Sequence, residues 1–272
     1  MALVFDSHCH LDMPAFDGDR ADVVARAQAA GIVGILVPAV RPATFAQTVA
    51  LRSPPGPGVR VCIALGVHPQ VVGDLSGVER TLATDPDAIA AAAMNAHAVA
   101  IGECGIDGGS GAGELQEQIF RAHIRAARTA NLPLVVHVLR GHQVAPKILR
   151  EEGAVKVGGV MHSYSGGVDL IPVYRDLGFA FSVAGPVTFP GARRPLDAAR
   201  AIPDDLLLAE TDGPDQTPHP HRGTRNEPAY LREVIDALAR ARDRDAADVA
   251  ALTTRNARRL FRLAVEARGE AE

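Results

Sequence analysis

Two histidines separated by one residue stand near the start of the chain. Residues 6–12 read DSHCHLD and directly follow an apolar run. In an extended strand alternate side chains share a face, so His8 and His10 would point the same way, roughly 7 Å apart at the backbone, and Cys9 the other way. Two imidazoles so placed can converge on one metal ion, or they can be hydrogen-bonded in a core or a loop. This stretch alone leaves both interpretations open.

Other ionisable side chains stand at the ends of later apolar runs. They occur in the motifs GVHP, GECGID, PLVVH, HSYSG and ETDGPD, as His68, Glu103, His137, His162 and Asp212. His137 and His162 end runs of valine, leucine and methionine, where an unpaired imidazole is costly to bury. One such residue is typical of a solvated loop. Repeated nitrogen and oxygen donors at the same place in successive runs indicate a shared metal site.

The elements that must position these donors are short β-branched runs alternating with helical segments. Eight runs are present, at residues 3–7, 32–38, 59–66, 98–103, 134–137, 155–162, 180–184 and 206–210. Strands that alternate with helices predict a parallel sheet. Eight units favour closure into a single (β/α)₈ TIM barrel over an open doubly wound sheet, with the site at the C-terminal ends of the strands. We predict one domain over residues 1–272.

Helical periodicity and polar segments fill the intervals. Two apolar helix faces are predicted, one by Leu115, Ile119, Ala122 and Ala126, the other by Leu231, Val234, Ile235 and Leu238. Residues 53–58 (SPPGPG) and 108–113 (GGSGAG) are predicted loops. The polar segment 217–228 follows the last strand, where a barrel carries chemistry, and residues 245–263 predict a further helix.

Bulk composition excludes some classes of protein. The net charge of −4 and a pI near 6.2 do not match a general nucleic-acid binder, although a local basic patch is compatible with them. Cys9, Cys62 and Cys104 are an odd number in a long chain, which indicates reduced thiols. No leader and no membrane-spanning apolar run is apparent, so we expect a cytoplasmic protein without a membrane partner. The oligomeric state is not indicated.

The donor types narrow the cofactor. Imidazole and carboxylate ligands without thiolates suit zinc, manganese, iron, cobalt or magnesium. Two divalent cations sharing one carboxylate can activate water for a displacement reaction. Cys9 and Cys104 are predicted to be packing residues because strand alternation turns them away from the site.

The motifs, in their order, resemble the TatD family of metal-dependent hydrolases and deoxyribonucleases within the amidohydrolase superfamily. Besides those above, they include GTRNEPAYL and TTRNARRLF, and the resemblance extends from Asp6 to Phe261. It implies a (β/α)₈ barrel with two divalent cations. His8, His10 and Asp212 would hold the first, and Glu103 would bridge to a second held by His137 and His162. His68 has no implied ligand role.

The sequence departs from the family pattern in the loops that would shape a substrate pocket. Leu139 stands where members commonly carry an arginine, and Asp215 and Gln216 stand where aromatic residues are usual. The loop at 108–113 is rich in glycine where many members have aromatic residues. The resemblance therefore predicts the metal site more directly than it predicts the substrate.

The resemblance implies a deoxyribonuclease in which a metal-bridged hydroxide attacks a phosphodiester. Asp212 would orient the hydroxide and take its proton, and Glu103 would serve catalysis as the bridging ligand. His68, Arg140, Arg222 and Arg225 are candidates for holding substrate phosphate. The alternatives are a lactone, an amide or a small phosphoester as substrate, or a metal-binding protein without catalysis. The chain has no GK[ST] phosphate loop and no GxSxG nucleophile motif.

Overall fold

The computed structural model describes residues 2–53 and 58–264. Eight parallel strands form one sheet in chain order. They are β1 (Val4–Asp6), β2 (Ile32–Pro38), β3 (Arg60–Leu65), β4 (Ala100–Asp107), β5 (Leu134–Leu139), β6 (Gly159–Met161), β7 (Phe179–Val183) and β8 (Leu207–Ala209). The amide of Ser7 donates to Ala209 O at 3.1 Å and joins the two ends of the sheet. The predicted (β/α)₈ barrel is confirmed.

Helices connect the strands and cover the outside of the barrel. They are α1 (Arg20–Ala29), α2 (Phe45–Leu51), α3 (Gly77–Thr84), α4 (Pro86–Asn95), α5 (Gly113–Ala130), α6 (Ala145–Glu151), α7 (Ile171–Asp176), α8 (Arg193–Ala201), α9 (Leu231–Arg242) and α10 (Ala246–Leu260). Short 3₁₀ helices span Pro14–Phe16, Pro42–Thr44, Pro69–Asp74, Ala154–Lys156, Val168–Leu170, Gly185–Thr188, Asp204–Leu206 and Pro228–Tyr230. None of the described helices has both the length and the apolar character needed to cross a membrane.

Two apolar layers hold the barrel together. The inner layer takes at least one buried residue from every strand and includes Phe5, Leu36, Val135 and Leu208. Phe261, just after α10, packs into the same cluster, so the end of this helix covers the bottom of the barrel. The outer layer lies between strands and helices. The predicted apolar face of α9 is buried in it at all four positions.

Several predicted boundaries are wrong. Strand six does not begin at residue 155, because Ala154–Lys156 form a 3₁₀ turn and Val155 is exposed. Strands four and five extend past their predicted ends, so Glu103 and His137 lie within strands. Strand one ends at Asp6, two residues before His8.

The predicted loops and the final helix also differ from expectation. The glycine-rich loop at 108–113 is shorter than predicted, because α5 begins at Gly113. The final helix is shorter than residues 245–263 and starts after Asp245, whose carboxylate caps it by accepting from the amide of Ala247. Of the predicted loop at 53–58, residues 54–57 lie outside the described residues.

Candidate metal centre

Glu103 lies at the centre of a buried cluster at the C-terminal mouth of the barrel. Its Oε2 lies 3.2 Å from His8 Nε2 and 3.4 Å from His10 Nε2. Asp212 Oδ1 completes this first group, at 3.5 Å from His8 Nε2 and 3.7 Å from His10 Nε2. Glu103 is fully buried, and the two histidines are nearly so. His8, His10 and Asp212, which lie around Glu103 Oε2, are the side chains expected to hold the first metal.

The other oxygen of Glu103 faces a second group of nitrogen atoms. Glu103 Oε1 lies 2.7 Å from His162 Nε2, 3.0 Å from His137 Nδ1 and 3.0 Å from His68 Nε2. His137 Nδ1 and His162 Nε2 are themselves 2.9 Å apart. One carboxylate thus presents each of its oxygens to a different donor group, which is the geometry a bridging ligand requires.

An irregularity in β4 brings Glu103 into the barrel. The pairing with β5 runs from Ile101 opposite Leu134 to Cys104 opposite Val136, so β4 carries one extra residue there. Ala100 points into the inner layer, and regular alternation from it would place Glu103 outside and Cys104 inside. The extra residue reverses this, and Cys104 packs in the outer layer as predicted.

The close approach of β4 to β5 depends on a glycine beside the cluster. Gly105 has a φ of +147°, and a Cβ there would overlap the carbonyl oxygen of His137. Only a residue without a side chain tolerates both conditions. The glycine therefore lets His137 stand directly beside Glu103.

The electrostatics of the cluster suit cation binding. Burial opposes ionisation of Glu103, yet the surrounding histidines, His162 foremost, hold its pKa well below the usual range. Burial lowers the pKa of His8 to about 4, so its imidazole is neutral at pH 7 and has a free lone pair. Burial raises the pKa of Asp212 to about 7, against the opposing charges of His162 and His10.

One buried oxygen without a hydrogen-bond partner supports the same assignment. In the described chain Glu103 Oε2, which faces His8 and His10, has no such partner, and the ring nitrogens of His8, His137 and His162 that face away from Glu103 have none either. Glu103 Oε2 lacks a partner despite its near nitrogen neighbours, because distance alone does not make a hydrogen bond. Buried polar atoms of this kind are rare unless an ion or water satisfies them. The donor set fits one or two divalent cations that prefer nitrogen and oxygen ligands.

Metal binding should therefore stabilise the fold. We expect Zn²⁺ at about one hundred times its dissociation constant to add roughly 2.7 kcal/mol to the free energy of unfolding and to raise the melting temperature by roughly 5–10 °C over chelator-treated protein. Thermal denaturation followed by circular dichroism measures the shift. Ca²⁺, which prefers oxygen ligands, should give a much smaller one. Equal melting temperatures with chelator and with Zn²⁺ would contradict the assignment.

A family model described as TatD related DNase matches residues 5–262 of the chain. The chain belongs to the TatD family. A metal-dependent hydrolase of Bacillus subtilis, YabD, is 34% identical over 96% of this chain and 100% of its own length. YcfH of Escherichia coli K12, also named a metal-dependent hydrolase, is 35% identical over 95% of each chain. The crystal structure of YjjV, a TatD homologue of E. coli K12, has a TM-score of 0.85 at 30% identity and covers 96% of this chain and 98% of that one.

In this TatD-family chain His68 differs from the other histidines of the cluster. Its Nδ1 accepts a hydrogen bond from the backbone N–H of Gln70 at 3.1 Å. A neutral imidazole that accepts at Nδ1 carries its proton on Nε2, the atom that faces Glu103 Oε1. The ligand atoms of His68, Glu103 and His137 lie within 4.8 Å of one another, but a proton on His68 Nε2 would make this atom a hydrogen-bond donor and leave it no lone pair for a cation.

Three carboxylates that the sequence did not single out support the cluster. Asp6 accepts hydrogen bonds from Thr211 N at 3.0 Å and Thr211 Oγ1 at 2.6 Å, and so joins the ends of β1 and β8. Glu210 Oε1 lies 3.3 Å from His162 Nδ1. Asp107 Oδ2 lies 3.8 Å from His137 Nε2. Glu210 stands two residues before Asp212, and Asp107 stands four residues after Glu103. Because alternate side chains of a strand share a face, this spacing could have indicated that both carboxylates face the site.

The three arginines predicted to bind phosphate lie outside the cluster. Arg140 follows β5 and is exposed, and the guanidinium of Arg222 stacks 4.3 Å from the ring centre of Phe189. Arg225 donates to both oxygens of Asp19, at 2.7 and 2.8 Å. None of them is among the residues that line the two cavities beside the cluster.

Replacing Arg225 with alanine should therefore affect stability more than substrate binding. The side chain joins the loop after β8 to the segment after β1, through Asp19 and through Ala15 O at 2.7 Å. We expect a lower melting temperature and a KM within about twofold of wild type. Asp19→Ala should cause a similar loss, since it removes the same pair. A large rise in KM for Arg225→Ala alone would restore the substrate role.

Proposed function

We propose that the chain is a two-metal phosphodiesterase that acts on DNA. The observation that carries this proposal is the position of Glu103, whose two oxygens each face a separate donor group. When bound, two divalent cations would polarise the phosphate group and offset the charge that develops in the transition state. His8, His10 and Asp212 would hold one cation, and His137 and His162 the other, with Glu103 shared. The family description supports DNA as the substrate class.

Asp212 is the proposed general base. One of its oxygens faces His8 and His10, and the other accepts a short hydrogen bond from Gln216 Nε2. Gln216 is itself oriented by Ser163, whose hydroxyl donates to Gln216 Oε1 at 2.8 Å. These contacts hold the carboxylate at the mouth of the cavity, where it can take a proton from an attacking water.

His68 is the proposed donor to a substrate oxygen. It lines the same cavity of about 360 Å³ as His10, His137 and Asp212. The backbone of Gln70 fixes its protonated Nε2 toward the cluster. A donor aimed at the site of charge development stabilises the transition state without reorganisation.

A small phosphoester or other small ester is the second candidate substrate. It is favoured by the lining of the two cavities, in which the described residues include no lysine or arginine. A polynucleotide needs cations along its backbone, whereas a small ester needs only the metals.

A cytoplasmic location, two bound cations and a single domain over residues 1–272 also stay predictions.

A hydrolysis screen tests the proposal. Protein stripped of metal and reloaded with Zn²⁺, Mn²⁺, Co²⁺, Fe²⁺ or Mg²⁺ is assayed on single- and double-stranded DNA, RNA, small phosphodiesters and lactones. We expect metal-dependent cleavage of DNA. Cleavage of small phosphodiesters or lactones without cleavage of DNA would support the second candidate, and no cleavage of any of these substrates would overturn both.

A further inference from the structure

A second cavity opens beside the metal cluster, on the side of β5 to β8. Its volume is about 340 Å³, and it shares His137, Leu139, His162 and Gln216 with the metal cavity, so the two are adjacent. This size lies near the lower end of the roughly 300–1,000 Å³ typical of small-molecule pockets. The space suits one ring-sized substituent. We call it the side chamber.

The walls of the side chamber are mainly apolar. They include Val138, Leu139, Val183, Ala184, Pro186 and Val187. Tyr164 adds a ring packed edge-on against Phe181, with ring centres 4.9 Å apart. The described lining residues include no lysine or arginine, and the two lining histidines belong to the metal cluster. An anionic group in the chamber would therefore lose its hydration without a lysine or arginine of the lining to pair with.

The hydroxyl groups of the chamber are already engaged with the protein. Tyr164 Oη donates to Gly167 O at 2.7 Å, and Ser165 Oγ donates to Val138 O at 3.1 Å. Ser163 Oγ donates to Gln216. Since each hydroxyl proton has a partner, the chamber offers an occupant apolar contact more than hydrogen bonds.

A close backbone contact fixes the rim of the chamber. Gly185 follows β7, and a Cβ there would overlap the carbonyl oxygen of Gln216. The glycine thus lets the loop after β8 lie directly against the loop after β7. Gln216 is thereby held between the chamber and Asp212, so an occupant of the chamber would lie next to the reacting centre.

We propose that the side chamber binds a neutral, apolar, ring-sized substituent of the ester and excludes an anionic one. This inference rests on the proposed function, because it places the ester group at the metal cluster. The substituent could be a nucleobase or a simple aryl group, which share this chemistry. A nucleotide chain carrying its next phosphate into the chamber is disfavoured.

Binding of three phosphonates tests the inference independently of catalysis. Methylphosphonate, phenylphosphonate and phenylphosphonate with a para carboxylate are titrated into Zn²⁺-loaded protein by calorimetry. We expect phenylphosphonate to bind at least about tenfold more tightly than methylphosphonate, as burial of a ring implies. The para carboxylate should remove that gain. Equal affinities for the methyl and phenyl compounds, or a retained gain with the carboxylate, would overturn the proposal.

A pair of matched variants locates the ring. Val187→Phe fills the side chamber, whereas Val71→Phe makes the same change on the wall of the metal cavity. The preference for phenyl over methyl should disappear in the first variant and persist in the second. The reverse result would overturn the assignment to the chamber. If Val187→Phe does not fold, the wild-type series still decides the question.

Hydrolysis then identifies the source of the ring. Phenyl p-nitrophenyl phosphate is compared with thymidine 5′-(p-nitrophenyl phosphate), and the faster substrate shows whether the chamber prefers an aryl group or a nucleoside. If neither is cleaved while the phenylphosphonate preference holds, the proposed function fails and the chamber assignment stands. If both are cleaved without any phenylphosphonate preference, the chamber assignment fails and the proposed function stands.

Discussion

Replacing Glu103 with glutamine should abolish tight metal binding and nearly all hydrolysis. The carboxylate is fully buried, and each of its oxygens lies within 3.4 Å of histidine nitrogens. An amide removes the negative charge and one of the two oxygens that a bridging ligand needs. We expect a rate loss above about 10³-fold, beyond the roughly 10²–10³-fold typical of losing a single donor in an active site. Elemental analysis after dialysis and a hydrolysis assay give the two readouts.

Glu152→Gln is the matched control. Glu152 is also buried and charged, but it pairs with Arg125, at 2.7 and 2.8 Å, away from the cluster. This variant should keep its metal content and its rate, with a lower melting temperature at most. A Glu103→Gln protein with full metal content and full rate would exclude the two-metal assignment.

Replacing His68 with alanine should lower kcat without removing metal. The Nδ1 of His68 is occupied by the backbone N–H of Gln70, so its Nε2 proton faces the site as a donor. Loss of one such donor lowers kcat by about 10²–10³-fold. The metal content should match that of wild type, since the other histidine and carboxylate side chains around Glu103 are intact.

The conservative variant separates a donor from a ligand. His68→Gln retains a side-chain N–H and should recover part of the rate lost in His68→Ala. A loss of one metal equivalent in the alanine variant would instead make His68 a ligand and contradict the tautomer inferred from Gln70. Equal rates for wild type and both variants would exclude His68 from the site.

The donor types and their order along the chain were readable from the sequence because they depend on local chemistry. Imidazoles and carboxylates at the ends of apolar runs are costly to bury unless they are hydrogen-bonded or share a metal ion, and alternating strands and helices predict a parallel barrel. Residue identity and spacing are enough for both predictions. The fold brings together the six side chains that the sequence predicted to meet, which are His8, His10, Glu103, His137, His162 and Asp212.

The contacts of the arginines depend on the folded chain. Arg222 and Arg225 stand in a polar segment after the last strand, where a phosphate contact is plausible from composition alone. In the folded chain Phe189 and Asp19 engage their guanidinium groups. Those partners are distant in sequence, so only the packing of separate loops reveals them.

Residue types and spacing were enough to predict the donor residues and the class of fold, because composition and periodicity are local properties. The direction in which each donor faces depends on the folded chain. Phe5 points into the barrel, so a longer β1 would point Cys9 into the barrel as well. The strand ends at Asp6 instead, and the imidazoles of His8 and His10 face the site. An extra residue in β4 does the same for Glu103. The face of the sheet to which a side chain points depends on strand register, and register is set by the pairing of neighbouring strands.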